Sequence, residues 1–355
     1  MTQIAFYAPM KPPDHAVPSG DRLIARLTLE ALGRAGYAPE TVSRLRTIDT
    51  EGSEAAQARL EREAGEEAAR LIARLRARPP AAWFTYHCHY KAPDLLGPAV
   101  AAALGLPYLV SEPSTSPRRR TGAWARFARA SDAALAAADR LLWTTARDRP
   151  ALEAAGWGRK LVALPPFLDP GPRVPPRSAA GRRLGLLTVA MMRHGDKLES
   201  YRRLAAALAV LEGEWRLTVI GDGPARAEVE ALFAPLRARV AFGGASDDPA
   251  ALRGIMEGAD LFVWPGVGEG VGMAWLEAQA AGLPVVAEDG PAARETAAAG
   301  LLAPPGDPAA MAAAIRRGAA ERETLSAEAR AAIEARHSLD AAAETLGRTI
   351  REVTG

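Results

Sequence analysis

Short apolar runs that alternate with longer amphipathic ones, glycine-rich turns just after several of those runs, and one proline-rich interruption near the middle predict an α/β chain of two domains. Each domain would hold a parallel sheet crossed over by helices. The length agrees, because 355 residues is long for one core and comfortable for two. A hydrophobic fraction of 48% with 24% charged residues is that of a globular protein.

In the first half the pattern predicts strands at Ile4–Ala8, Ala82–Tyr86, Tyr108–Ser111, Arg140–Thr144 and Leu161–Leu164. Helices are expected near Asp21–Ala35, Ser53–Arg76, Pro93–Leu104, Gly122–Ala137 and Arg147–Ala155. The stretch from Leu164 to Pro176 is crowded with proline, which can neither donate ladder bonds nor continue a helix, so it reads as the interdomain linker. A second series then predicts strands at Leu184–Ala190, Arg216–Ile220, Val240–Phe242, Leu261–Trp264 and Pro284–Ala287, each followed by a helix. From Asp307 to Val353 the pattern is helical only, with breaks near Glu323 and His337. The chain therefore reads as two Rossmann-like halves, residues 1–170 and 171–337.

Composition excludes several classes. Forty-four basic against 42 acidic residues give a formal charge of +2, so nothing global attracts nucleic acid, although local basic patches leave a peripheral membrane contact open. One cysteine, Cys88, rules out an internal disulfide framework and a cysteine-ligated zinc site within the chain. The amino terminus lacks a basic segment followed by an apolar stretch, and no run approaches the ~20 apolar residues of a spanning helix, so a cytoplasmic protein is expected.

The segment from Val263 to Glu277 carries the most chemistry. An apolar strand runs into Gly266, Gly268, Gly270 and Gly272 and then into a helix, with Glu269 and Glu277 eight positions apart. Glycines let backbone N–H groups approach an anion, and a helix start adds its positive dipole end, so a phosphate is the expected guest. Two carboxylates beside a phosphate suggest sugar hydroxyls.

Read as a whole, Glu269-Gly270-Val271-Gly272-Met273-Ala274-Trp275-Leu276-Glu277-Ala278-Gln279-Ala280-Ala281-Gly282-Leu283-Pro284-Val285-Val286 resembles the Glu-x7-Glu signature of retaining glycosyltransferases with the GT-B fold, as in glycosyltransferase family four. The resemblance implies two Rossmann-like domains with an interdomain cleft, and a last helix, here 338–355, returning to the N-terminal domain. It implies that Glu269 lies near the donor sugar, that Glu277 bonds the ribose, and that the amides of Gly270, Val271, Gly272 and Met273 hold sugar and diphosphate. Val271 stands where Phe is common.

Further elements of the second half extend the resemblance over Leu187–Pro308. Arg193 and Lys197 follow the strand Leu184–Ala190 and match the cations that the family sets on the diphosphate, with a gap one residue shorter. Their spacing alone fits a solvated loop with two ordinary cations, and Glu269 and Glu277 in the same half favour the functional reading. Gly221 and Gly223, in Gly221-Asp222-Gly223-Pro224, resemble an element that shapes the donor pocket; Arg226 stands where a dinucleotide fingerprint needs glycine. The alternative there is a plain strand-to-helix turn. Phe242 and Gly243 fall in a segment whose backbone pairs with the base in that family. Gly290 to Glu295 and Gly300 to Asp307 match two more of its elements.

In the first half, Ser19 and Gly20 occupy the place of the family's small-residue loop facing donor and acceptor, and Asp21 reads either as part of it or as a helix N-cap. His87 and His89 leave a strand end, where alternation puts both on one side. A metal pair finds no third ligand with suitable spacing, and because members of that family often carry His-x-His here beside the cleft, the resemblance implies acceptor-side contacts; the alternative is histidines that are simply packed and hydrogen-bonded. Glu112 stands where many family members place a His that contacts the donor sugar. Arg118, Arg119 and Arg120 suit an anionic acceptor, a lipid headgroup or a solvated turn.

The resemblance thus implies a metal-independent hexosyltransferase that uses a UDP- or GDP-linked sugar, with no tightly bound cofactor. The acceptor would be a saccharide, a lipid-linked molecule or another small molecule. A degenerate nucleotide-sugar-binding scaffold or a different GT-B enzyme, such as an epimerase, stays open. A nicotinamide dehydrogenase fits less well.

Overall fold

The computed structural model describes residues 1–17, 19–173, 183–246, 248–297 and 299–355. The chain divides into two compact units, Met1–Phe167 with Leu339–Gly355, and Leu168–Ser338.

The first unit runs β1 (Thr2–Tyr7), α1 (Gly20–Arg34), β2 (Tyr37–Thr41), α2 (Glu54–Arg76), β3 (Ala82–Cys88), α3 (Gly97–Leu104), β4 (Tyr108–Pro113), α4 (Ala125–Ala137), β5 (Arg140–Trp143), α5 (Arg149–Ala154) and β6 (Leu161–Ala163). Its strands form a parallel sheet in the order β2-β1-β3-β4-β5-β6. Helices cover both faces, which is why β1 and β3 read as unbroken apolar runs. Alternation sends Ala5 and Tyr7 to one core with Trp83, Val110 and Leu71 of α2, and Ile4 and Phe6 to another with Phe84 and Leu109.

Strand β2 was not expected, because Pro39 sits in its middle. It is the edge strand, where a missing N–H leaves no ladder bond unmade.

The second unit runs β7 (Leu184–Val189), α6 (Asp196–Ala209), β8 (Trp215–Ile220), α7 (Arg226–Leu232), β9 (Val240–Gly244), α8 (Pro249–Gly258), β10 (Leu261–Val263), α9 (Met273–Ala280), β11 (Val285–Glu288), α10 (Pro291–Thr296), β12 (Leu301–Ala303), α11 (Pro308–Ala320) and α12 (Arg322–Ala332). A turn of π-helix, Ile333–His337, follows. Its parallel sheet has the order β12-β11-β10-β7-β8-β9, so the direction of winding reverses between β7 and β10. Strand β12, at the far edge and three residues long, was also missed.

The last helix, α13 (Leu339–Thr354), belongs to the first unit. Leu339, Ala342, Leu346 and Ile350 are buried in the core that holds Ile4 and Phe6.

The proline-rich stretch is tied down rather than free. Leu164 and Phe167 are buried in the first unit. Within the second, Arg253 and Arg330 each donate to the Pro170 carbonyl at 2.8 Å. Val174, Pro175 and Pro176 lie outside the described residues. No helix among the described residues is long and apolar enough to cross a membrane.

Candidate active site

In an open parallel sheet, ligands settle beyond the carboxyl ends of the strands where the winding reverses. In the second unit that point lies between β7 and β10, and a pocket of ≈ 520 Å³ opens there. Val189, Ala190 and Met191 line it after β7, and Ile220, Gly221 and Asp222 after β8. Trp264, Glu269 and the run from Val271 to Trp275 line it after β10, with Lys197 of α6.

Sequence explains how these loops come so close. An added Cβ at Gly221 would meet the Ala190 carbonyl oxygen at 1.9 Å, and at Gly223 the Met192 carbonyl oxygen at 2.3 Å. Glycine therefore lets the turn after β8 lie against the turn after β7. Backbone bonds then join them, Met192 N–H to Asp222 O at 2.9 Å and Ala225 N–H to Met192 O at 2.9 Å.

The two ends of the Glu-x7-Glu segment have different surroundings. Glu269 accepts from the indole N–H of Trp264 at 2.9 Å and forms an ion pair with Lys197, whose ammonium lies 5.4 Å from the centroid of the Trp264 ring. The carboxyl of Glu277, on α9, has no hydrogen-bond or ion-pair partner among the described residues, and burial pushes it up to about 7. It does not line the pocket itself.

Between them, Gly272 caps α9 in the left-handed conformation, φ +69°. The N–H groups of Gly270, Val271 and Gly272 have no acceptor among the described residues. Unpaired donors at a helix start form a site for an anion.

Other predicted residues stand apart. Arg193 is exposed and does not line the pocket, and neither do Phe242 and Gly243. The Phe242 ring packs against Phe233 at 6.1 Å, while Ala245 and Ser246 reach the pocket wall in its place. Trp264, Trp275 and Asp222 were not singled out as site residues; the position of Trp264 directly after a strand was the available signal.

The first unit carries a second polar cluster at the carboxyl ends of β3 and β4. His87 Nδ1 lies 2.9 Å from Asp21 Oδ1 and 3.6 Å from Glu112 Oε2. Burial works against a charged His87, but the bond to Asp21 and the two carboxylate charges outweigh it and raise its pKa. That same bond holds Asp21 below the usual carboxylate range. Burial raises Glu112, partly offset by His87. His89, 4.8 Å from His87 between ring centroids, is pushed down to about 3 by burial and by the His87 charge.

Two backbone observations mark this cluster. Among the described residues, the non-glycine residues at positive φ are His87 at +60° and Glu112 at +50°. Each such conformation costs about 1–3 kcal/mol and is typically retained at functional positions. Asp21 does not cap α1; the Ser19 hydroxyl does, accepting from Arg22 N–H at 3.2 Å, which frees Asp21 for His87. Gly20 is the first residue of α1, with open space around it. No group of three or more His, Cys, Asp and Glu among the described residues is placed to hold a metal ion.

Comparison with known proteins agrees with this fold. Residues 183–320, less than half of the chain, match the family model for glycosyl transferases group 1. Over 99% of its length the chain is similar in structure to a glycosyltransferase from Rickettsia africae ESF-5 (TM-score 0.72, 15% identity, 98% of that chain). It is also similar to a sucrose-phosphate synthase from Thermosynechococcus elongatus (0.68, 20%, 99% of each chain). A third is the Anabaena protein HepE in complex with UDP-glucose (0.64, 16%, 99% of this chain and 100% of that one). A comparison with the curated proteins found no match. The chain has the GT-B fold.

Proposed function

We propose that this GT-B chain is a retaining glycosyltransferase that moves a sugar from a nucleoside diphosphate to an acceptor hydroxyl. The observation that carries the reading is the pocket between the ends of β7 and β10, lined by the ion pair of Lys197 and Glu269 and by Val271 and Gly272, whose amides have no acceptor among the described residues. Donor amides and a lysine suit the diphosphate, which gains negative charge as the glycosidic bond breaks. Glu269, held by Trp264 and Lys197, would face the sugar as positive charge develops at its anomeric carbon.

Glu277 is assigned to the ribose. A half-buried carboxylate without a protein partner is partly desolvated, and a vicinal diol supplies two donors to satisfy it. The base would be uracil or guanine; UDP-glucose, bound by the Anabaena protein, is one such donor. Asp21, His87, His89 and Glu112 of the first unit are assigned to polar contacts with the substrates.

Calorimetry with UDP, GDP and their glucose and mannose conjugates tests the assignment. Glu277→Ala should weaken nucleotide binding about tenfold or more while the melting temperature holds, since a bond to a charged group is worth about 1.5–3 kcal/mol. Unchanged affinity would remove Glu277 from the ribose. Glu112, standing where a histidine is common in similar proteins, favours a second reading, a nucleotide-sugar binder without turnover. Product analysis separates the two, because only the transferase yields a glycoside.

A further inference from the structure

Beside the polar cluster of the first unit lies a patch that the proposed chemistry leaves unused. Tyr90 follows His89 after β3, and its ring meets Trp124 edge-on at 5.4 Å. Lys91 Nζ lies 6.0 Å from the Tyr90 centroid and 5.5 Å from that of Trp124, and the Arg119 guanidinium lies 5.4 Å from Tyr90. Two cations thus lie within about 6 Å of the centre of one aromatic ring.

Neither cation has a counter-charge. Among the described residues, Lys91, Arg118 and Arg119 form no ion pair, whereas the adjacent Arg120 is bonded to Asp132 at 2.7 Å. Asp132 also accepts from Thr115 at 2.8 Å. Asp49, whose N–H bonds the Lys91 carbonyl, is itself saturated by the N–H groups of Glu51, Gly52 and Ser53 and by Gln57. Positive charges held together without an anion repel one another, and a bound anion relieves that repulsion while gaining charge-assisted bonds.

The patch is continuous with the polar cluster. Ring centroids step from His87 to His89 at 4.8 Å, from His89 to Tyr90 at 5.8 Å, and on to Trp124. Both loops leave adjacent strands, since Cys88 of β3 pairs with Pro113 of β4.

We propose that Lys91 and Arg119, framed by Tyr90 and Trp124, form a subsite for the phosphate of a phosphorylated acceptor. A phosphate monoester carries about 1.5–2 negative charges at neutral pH, which matches the uncompensated cations. The identity of the ligand as an acceptor rests on the glycosyltransferase reading; the anion subsite does not.

The test uses the full chain without a donor. Hexose 6-phosphate, inorganic phosphate, free hexose and mixed phosphatidylcholine–phosphatidylglycerol vesicles are titrated into the wild type and the Lys91→Ala/Arg119→Ala variant. Hexose phosphate should bind the wild type, lose about tenfold or more in the variant, and weaken with added salt, while free hexose does not respond to the substitutions. Dependence confined to vesicles would place the phosphate on a lipid headgroup and support the anion site with that source. Equal binding of every probe by wild type and variant overturns the proposal. UDP titration of the same variant, with an unchanged melting temperature, keeps this outcome separate from failure of the donor assignment, which depends on Glu277.

Discussion

Glu277 joins burial to chemistry in one side chain. Its carboxyl, pushed up to about 7 by burial, keeps a proton in the native state that the unfolded chain releases near the ordinary glutamate value. Stability from this group is therefore fully present below the unfolded pKa and is lost as pH rises toward about 7. Glu277→Gln should melt higher than the wild type above neutrality and close to it in mild acid. Scans across that range test this, and a constant difference would show that Glu277 is not the titrating group. Under the proposed assignment, in which the ionised form accepts from a ribose diol, nucleotide affinity should tighten as pH rises through about 7, and Glu277→Gln should flatten that dependence. In the first unit, Asp21→Ala removes both the bond and the carboxylate charge with which Asp21 raises His87. The imidazole should then titrate at lower pH, read directly from its ring-proton shifts.

At the scale of elements, glycine and one buried carboxylate set what the strands present. Gly221→Ala would drive a methyl group into the Ala190 carbonyl. The turns after β7 and β8 would then part, at a cost of about 1–3 kcal/mol, and nucleotide affinity should fall with the melting temperature. Retention of both would show that the pocket does not depend on this approach. Asp94, 1% exposed, accepts from Thr85 and from Tyr108 at 2.7 Å, and from the N–H groups of Leu96 and Gly97 at 2.9 and 2.7 Å. It anchors the start of α3 between β3 and β4. Asp94→Ala leaves several buried donors unpaired and should destabilise by about 3 kcal/mol or more in chemical denaturation.

Over the whole molecule, the proposed mechanism draws its positive charge from Lys197 and helix-start amides. A chelator should leave transfer intact, and activity restored by a divalent ion would count against it. Thermal shift against a panel of nucleotides should stabilise the chain selectively with one base, following ligand concentration and affinity.

The α/β class was legible in the chain alone, because short unbroken apolar runs that alternate with amphipathic helices admit few other arrangements. The sequence also pointed to segments that line the pocket of the second unit, since glycines at strand ends are local signals that backbone geometry reads directly. Edge strands escaped it. Pro39 argues against a strand everywhere except at a sheet edge, and which strand lies at the edge depends on pairing with β1. Only the folded chain shows who partners whom: Lys197 with Glu269 from α6 and the turn after β10, and His87 with both Asp21 and Glu112, from three separate segments. It alone revealed the strained φ angles of His87 and Glu112 and the unpartnered Glu277. These depend on through-space burial and on pairing between residues far apart in the chain, which no local pattern encodes.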